Sequence, residues 1–515
     1  MLAVPDQASR DGRTRRELLQ RAGSLAALMV AGCGTAKDLS RSKPLPQIGS
    51  SASKPAGSVA AFHSQPDLHP PTVTTTPDAE TGEMGGVDPG FLFLGPGPVS
   101  LSGSEQYGPL IVDRAGTPVW FRPLRAGLQA TNFARAEYQG RPALVWWEGK
   151  IQQAGYGQGE AVLLDQDYHE IARVRAAGGR TMDLHALTVT AEGTALFTCY
   201  PQTVQMDLSS IGAPRNSQVL ESIIQEVDIG SGRLLFEWRS LQHIPVSASQ
   251  EPHAEPYDYL HINSIQQLPD GNLLVSGRHT WALYKLERRT GRVIWTLGGK
   301  RSQLQMGPGA QFAWQHDARQ HSDGVLTVFD NGTNGPIKTE SESRGLMLDV
   351  DESRRRVTVR NAYTSPERLS AGAMGSCQIL SPDRVLVGWG VQSRTTEFTS
   401  EGKALLDVAL PAGMYSYRGL WLPWQGTPHH RPAVAAGQDS ETGGTIVYAS
   451  WNGATEVAGW QVAAGARHHQ LRPLGIAPCR GFETVIPLDD SHRYASVTAL
   501  DRSGRRLRRS PVIQL

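Results

Sequence analysis

One pattern repeats six times along this chain: an apolar strand-like run, a polar turn, and a second apolar run that often ends in an aromatic residue. The copies begin at Ile111, Leu163, Val227, Leu286, Leu348 and Phe398. Measured turn to turn they lie about 50 to 63 residues apart, a long propeller-blade period. A hairpin cannot bury its apolar face alone, so the copies must pack on one another. The spacing predicts an all-β, six-bladed β-propeller. A strand sandwich with long insertions is the competing architecture, and it does not easily give six evenly spread outer hairpins. The 55 Gly and 33 Pro favour short strands and tight turns over helices.

A second set of hairpins alternates with the first, as inner hairpins would within four-stranded blades. Three of them open on a histidine. His185 precedes Ala186–Phe197 with a turn at Glu192-Gly193, and His261 precedes Ile262–Ser276 with a turn at Asp270-Gly271. His316 precedes Asp317–Phe329 with a turn at Asp323-Gly324. Matching positions of a radial repeat lie at matching radii, so three imidazoles 76 and 55 residues apart would face one point. A chance preference of histidine for strand starts explains one of them better than it explains three in register. A fourth inner hairpin runs from Gly375 through a turn at Pro382-Asp383 to Trp389 without a histidine.

The pattern changes near residue 430. Thr445–Trp451, Val457–Val462, Leu471–Leu474, Phe482–Pro487 and Tyr494–Leu500 read as short strands. They predict a small immunoglobulin- or fibronectin-like β-sandwich over 431–515 with Trp451 and Trp460 in its core.

The first 33 residues read as an address. Arg15-Arg16 sits in a twin-arginine pattern, and the apolar stretch Ala22–Gly32 is far shorter than the roughly 20 residues of a membrane-spanning helix. Val30-Ala31-Gly32-Cys33 resembles a lipobox, which makes Cys33 the candidate lipid attachment site; an ordinary signal peptide with an incidental cysteine is the alternative. Residues 34–86, rich in Ser, Pro and Thr, read as a disordered tether, leaving 87–430 for the propeller. Export to the outer face of a membrane or to the periplasm follows. Cys199, Cys377 and Cys479 are far apart and odd in number, which supports neither a disulfide framework nor a zinc knuckle. Lys+Arg of 50 against Asp+Glu of 49 gives a net charge of +1 and no bulk footprint for nucleic acid.

Arg278 closes the strand that pairs with the one His261 begins, so it returns to the same end. A guanidinium fork beside neutral imidazoles suits a tetrahedral oxyanion such as sulfate or phosphate. It opposes a dication, although a three-histidine zinc site stays open as an alternative. Asn263 and Asn331 are secondary donor candidates. Trp281 and Trp314 are candidates either for stacking on a substrate ring or for core packing. No GxxxxGK motif holds a nucleotide donor, and Gly155–Gly159 precedes a strand instead of joining strand to helix. No cofactor is expected.

Several runs resemble the bacterial arylsulfate sulfotransferases, most closely their actinobacterial and fungal-type branch. They are Asp183–His185, Asp258–Ser264, Ser276–His279, Trp295–Lys300, Phe312–Ala318 and Phe329–Gly332. The resemblance covers roughly residues 90–460 and implies a nucleotide-independent transfer of a sulfuryl group from a phenolic sulfate ester to a phenol. Carried over, it makes His316 the nucleophile of a ping-pong mechanism through a sulfohistidine. His261 and Arg278 become sulfate-binding residues and His185 the remaining active-site histidine. A non-catalytic surface scaffold and a metal-dependent hydrolase are the competing readings. Neither acceptor identity nor oligomeric state follows.

One acyl chain binds a membrane only marginally, whereas two or more anchor it stably. Cys33→Ala should therefore move the protein from the membrane to the soluble fraction on cell fractionation. Wild-type protein found soluble with an unmodified residue 33 would remove the anchor.

Overall fold

Each of the six outer hairpins forms where the apolar–turn–apolar pattern places it. The registers include Ile111↔Trp120, Leu163↔Ala172, Val227↔Leu234, Leu286↔Val293, Leu348↔Val359 and Phe398↔Ala404. A computed structural model describes residues 45–53, 60–78, 90–99, 106–152, 155–439, 442–489 and 491–515. Among these residues the fold is all-β, and its helical pieces are six three-residue 3-10 turns. The turn glycines Gly193, Gly271 and Gly324 share a left-handed backbone, with φ of 79°, 79° and 78°. A side chain resists that conformation, so these turns depend on glycine.

Six strands each head a group of antiparallel strands, to one of which Gln305–Met306 adds a parallel edge: β1 (Gln129–Tyr138), β2 (Met182–Val189), β3 (Ile262–Gln267), β4 (His316–Gln320), β5 (Ser376–Ser381) and β6 (Met414–Leu422). Strand β6 pairs with Phe91–Pro98, so one group is built from segments far apart in sequence. The groups headed by β1 and β2 merge through Met182↔Gly159 into an eight-stranded sheet. Neighbouring heading strands touch in turn from β1 to β6, and β6 touches β1.

Apolar cores fill the spaces between successive groups. Leu196, Ile224 and Trp238 pack with Ile262, Val275 and Tyr284, and Leu274, Leu283 and Trp295 pack with Leu326, Val328 and Leu348. Both faces of these strands are therefore covered, and each Leu, Ile or Val fully buried contributes about 1.5–3 kcal/mol. All six heading strands break register: β1 at Thr131/Ala134, β2 at Met182/Leu187, β3 at Ile262/Ser264, β4 at His316/Arg319, β5 at Ile379/Ser381 and β6 at Ser416/Gly419. Such bulges bend a strand and re-aim its side chains. Asn132, His261 and Asp317 take left-handed φ values of 54°, 54° and 50° at or beside these breaks.

Beyond Ala433 two further antiparallel sheets share one core made by Val447, Trp451, Trp460, Val462, Ile486 and Val497. Trp451 and Trp460 are buried there, and the Trp460 indole N–H donates to Thr484 Oγ1 at 3.0 Å. Cys199 and Cys377 are buried free thiols, and Cys479 is half-buried and free.

The tether reading of 34–86 needs correction. Within it, residues 45–53 and 60–78 are folded. Ser51–Ala52 pair with Thr484 and Val485, and Thr74–Pro77 pair with Leu406–Ala409. Phe62, Leu68 and Val73 are buried. Three well-separated apolar residues in a polar run carry no periodicity, yet they suffice because backbone pairing holds the segment. Residues 1–33, with Arg15, Arg16 and Cys33, lie outside the described residues, as do 34–44, 54–59 and 79–86.

Glu483 ties this segment down. Its carboxylate accepts from Ser53 Oγ at 2.6 Å, from the Ser64 amide and hydroxyl at 2.6 Å each, and from the His63 amide at 3.2 Å. Hydrogen bonds to a charged group contribute about 1.5–3 kcal/mol each. Glu483→Ala should lower the urea midpoint by at least one such bond, and an unchanged midpoint would mean the segment adds nothing to stability.

Candidate active site

The histidines that begin matching hairpins do converge, though not as three equals. His185 and His261 touch directly, Nε2 to Nε2 at 3.0 Å. His316 stands apart from them with Tyr417 between: its ring centroid is 6.3 Å from that of Tyr417, which is 6.1 Å from that of His185. All three are buried, at 4%, 7% and 2% exposure.

What separates them is the partner at Nδ1. His185 Nδ1 lies 2.6 Å from Asp183 Oδ2, and His261 Nδ1 lies 2.6 Å from Asp258 Oδ2. The Asp183 carboxylate also accepts from the Gly157 amide at 2.7 Å, the His185 amide at 3.2 Å and the Thr198 hydroxyl at 3.3 Å. Asp258 Oδ2 accepts from Tyr156 Oη at 2.8 Å. His316 Nδ1 instead meets two neutral oxygens, Asn331 Oδ1 at 2.7 Å and the Trp314 carbonyl at 3.0 Å. The Asn331 amide is oriented by donating through Nδ2 to the carbonyls of Ala371 (2.8 Å) and Met374 (3.1 Å). Two acceptors at Nδ1 fix the His316 proton there and leave a lone pair on Nε2. The Met374 amide caps that lone pair at 3.2 Å.

Arg278 sits in the turn just past Leu273–Gly277, and its amide donates to the His261 carbonyl at 3.0 Å. Its guanidinium donates to the Gly372 carbonyl at 3.0 Å and to His279 Nε2 at 2.6 Å. His279 Nδ1 in turn donates to the Asp258 carbonyl at 2.6 Å. That ring is therefore neutral and serves to aim the guanidinium. Burial, more than the neighbouring charges, pushes the His279 pKa down to about 3. Burial also holds His261 well below the usual imidazole range, with His185 and Arg278 adding to the effect. His316 is lowered in the same way, by burial first and then by Arg278.

Asp258, His261 and His279 bring three ligand-type atoms within 4.8 Å of one another. They do not fit a metal ion as they stand. Both Nδ1 atoms already donate to Asp258 oxygens, and the Arg278 charge lies against His279. A dication would have to displace two short hydrogen bonds while facing a guanidinium.

Of the secondary candidates, Asn331 orients His316, whereas Asn263 Nδ2 donates to the Gln315 carbonyl at 2.6 Å and serves the backbone. Trp314 is buried, with its indole N–H on Glu251 Oε1 at 2.5 Å, and packs edge-on against Trp281 at 4.6 Å. Sequence reasoning did not single out Asp183, Asp258, Tyr156, His279 or Tyr417. The carboxylates had a visible signal, an aspartate two or three residues before each of two histidines. Tyr156 and Tyr417 had none.

The neutral state of His279 has a consequence for stability. Its folded pKa lies below the unfolded value of 6.5, so as pH falls below 6.5 the unfolded chain takes up a proton that the folded one refuses. Stability is then lost at up to ~1.4 kcal/mol per pH unit until pH reaches the folded value. His279→Gln should remove that slope in denaturant unfolding measured between pH 6.5 and 4.5. Parallel pH curves for wild type and variant would contradict a neutral His279.

The chain has structural likenesses of low sequence identity. A protein of unknown function from Bacteroides caccae is 14% identical, with 64% of this chain and 99% of that one covered at a TM-score of 0.39. Hydrazine synthase of Kuenenia stuttgartiensis is 11% identical, with 67% and 89% covered at 0.32. Virginiamycin B lyase from Staphylococcus aureus is 12% identical, with 70% and 99% covered at 0.27. Likenesses this weak carry no argument about function. No curated protein matches the chain. The family model for arylsulfotransferase (ASST) matches residues 136–410, a span that holds His185, His261, Arg278 and His316. The chain belongs to the arylsulfotransferase family.

Proposed function

We propose that this protein is an aryl-sulfate sulfotransferase that moves a sulfuryl group between phenols through a sulfohistidine at His316. The observation that carries the reading is the neutral oxygen pair at His316 Nδ1. It keeps the ring uncharged and leaves Nε2 as the nucleophile. The six groups of strands are read as the blades of one propeller, supported by heading strands that touch in sequence and return from β6 to β1. The two sheets beyond Ala433 are read as an immunoglobulin- or fibronectin-like sandwich. The protein is also proposed to be exported and lipid-anchored at Cys33, acting on small phenolic sulfates outside the cell.

In the first half-reaction His316 Nε2 attacks sulfur, the N–S bond forms and the S–O(aryl) bond breaks. Sulfur reaches Nε2 only when the Met374 amide contact opens. The transition state is expected to be loose, by analogy with phosphoryl transfer, so charge stabilisation and positioning dominate. Arg278, aimed by His279, would hold the sulfuryl oxygens together with His261. The His185–His261 pair would give a proton to the departing phenolate and take one from the incoming phenol. Phenol is a good leaving group with a pKa of about 10, near that of tyrosine.

Aryl sulfate alone should release one phenol per site in a burst and leave a protein roughly 80 Da heavier, the mass of SO₃. The added mass should map to the peptide containing Trp314-Gln315-His316 and vanish when a phenol is supplied. His316→Asn should lose both burst and adduct while keeping the wild-type thermal midpoint. Transfer without any adduct in wild type would replace this mechanism with direct displacement.

A further inference from the structure

The contact between His185 and His261 sets a problem of protons. Each ring points Nδ1 at a carboxylate 2.6 Å away. The oxygen that faces each ring already accepts elsewhere, Asp183 Oδ2 from the His185 amide and the Thr198 hydroxyl and Asp258 Oδ2 from the Tyr156 hydroxyl, so toward Nδ1 it acts as an acceptor. Both Nδ1 atoms therefore carry hydrogen. If both rings were neutral, two Nε2 lone pairs would face each other at 3.0 Å in a buried site, which is repulsive and leaves both unsatisfied. One proton placed between them turns that repulsion into a short charge-assisted hydrogen bond.

We infer that His185 and His261 hold a single proton between their Nε2 atoms and work as one acid–base unit. The charges around the pair agree. Asp183 and Asp258 lie beneath it, Glu251 faces Arg278, and Asp317 pairs with Arg319 and Arg418 at 2.9 Å each. The two carboxylates against the rings outnumber the one guanidinium, Arg278, that acts on His261, which favours a positive charge on the pair. The other titratable neighbours do not supply that charge. Tyr156 and Tyr417 are held neutral by burial, the buried Cys199 thiol is pushed up, and His279 and His316 are neutral rings. Any titration belongs to the pair and not to either ring.

The role of this proton rests on the proposed sulfuryl transfer. When His316 takes the sulfuryl group, the electron pair of the broken S–O bond leaves on the phenolate oxygen and the stored proton completes the phenol. The pair is then neutral and takes the proton of the acceptor phenol as that oxygen attacks sulfur. The N–S electrons return to His316, which restores the resting state with no proton exchanged with solvent.

The test is NMR on full-length protein with ¹⁵N-labelled histidine rings, at neutral pH and without substrate. One strongly deshielded proton should couple to the Nε2 atoms of both His185 and His261, and it should disappear in His185→Gln and in His261→Gln. Two unprotonated Nε2 signals in wild type, or a proton that survives either substitution, would overturn the inference. Asp183→Asn removes an adjacent opposite charge, so the pH at which the proton is lost on raising pH should fall by about one to three units. An unchanged titration would overturn the electrostatic basis. Because no aryl sulfate is present, the outcomes separate: a shared proton without transferase activity would sink only the sulfotransferase reading, and transfer without a shared proton only this one.

Discussion

The pairing of Met414–Leu422 with Phe91–Pro98 is the contact on which the arrangement of the six groups of strands depends. It joins two strands far apart in sequence, in register from Leu422↔Phe91 to Met414↔Pro98 with one break. Without it the first group would lack its heading strand, and the row of strands would be left with an open edge. The same strand delivers Tyr417 and Arg418. Arg418 reaches Asp317, next in sequence to His316, and the Tyr417 carbonyl accepts the Gly375 amide at 3.1 Å. The strand that makes this long-range pairing thus also supplies side chains to the buried polar centre.

That centre is costly. Buried ion pairs such as Asp317 with Arg319 and Arg418 rarely repay their desolvation against an apolar alternative. What they provide is a fixed arrangement, because removing one partner leaves the other charged and buried. Around the histidines the same logic appears as orientation. Asp183, Asp258 and Asn331 each fix a ring by its Nδ1, and His279 fixes the guanidinium of Arg278. Groups held before a reaction begins need no reorganisation during it, which is where buried polar networks return their cost in an active site.

The hairpins were legible because their signals are local: apolar alternation, a turn with glycine, an aromatic at the end. The three histidines were legible for a related reason. Each begins or lies near the start of a heading strand, so sequence register translated into spatial register. The folded segment 60–78 was not legible, since Phe62, Leu68 and Val73 are too far apart to make a period and its strand is held by pairing with Leu406–Ala409. Tyr156 and Tyr417 were equally hidden. Tyr156 lies in a glycine-rich loop and Tyr417 on a strand whose neighbours come from the far end of the chain.

Register alone makes His185, His261 and His316 look equivalent, and the differences among them reside in single partner atoms. A carboxylate at Nδ1 favours the positively charged ring, so Asp183 and Asp258 suit a pair that stores a proton. A carboxylate beneath the nucleophile would work against the proposed reaction. It would favour protonation of Nε2 and remove the lone pair that must meet sulfur. An amide oxygen accepts the Nδ1 hydrogen with no net charge, so Asn331 orients His316 while burial and the Arg278 charge still hold its basicity down. The Trp314 carbonyl does the same from the other side. Division of labour among three identical side chains therefore follows from two aspartates and one asparagine, placed by three different hairpins around one point.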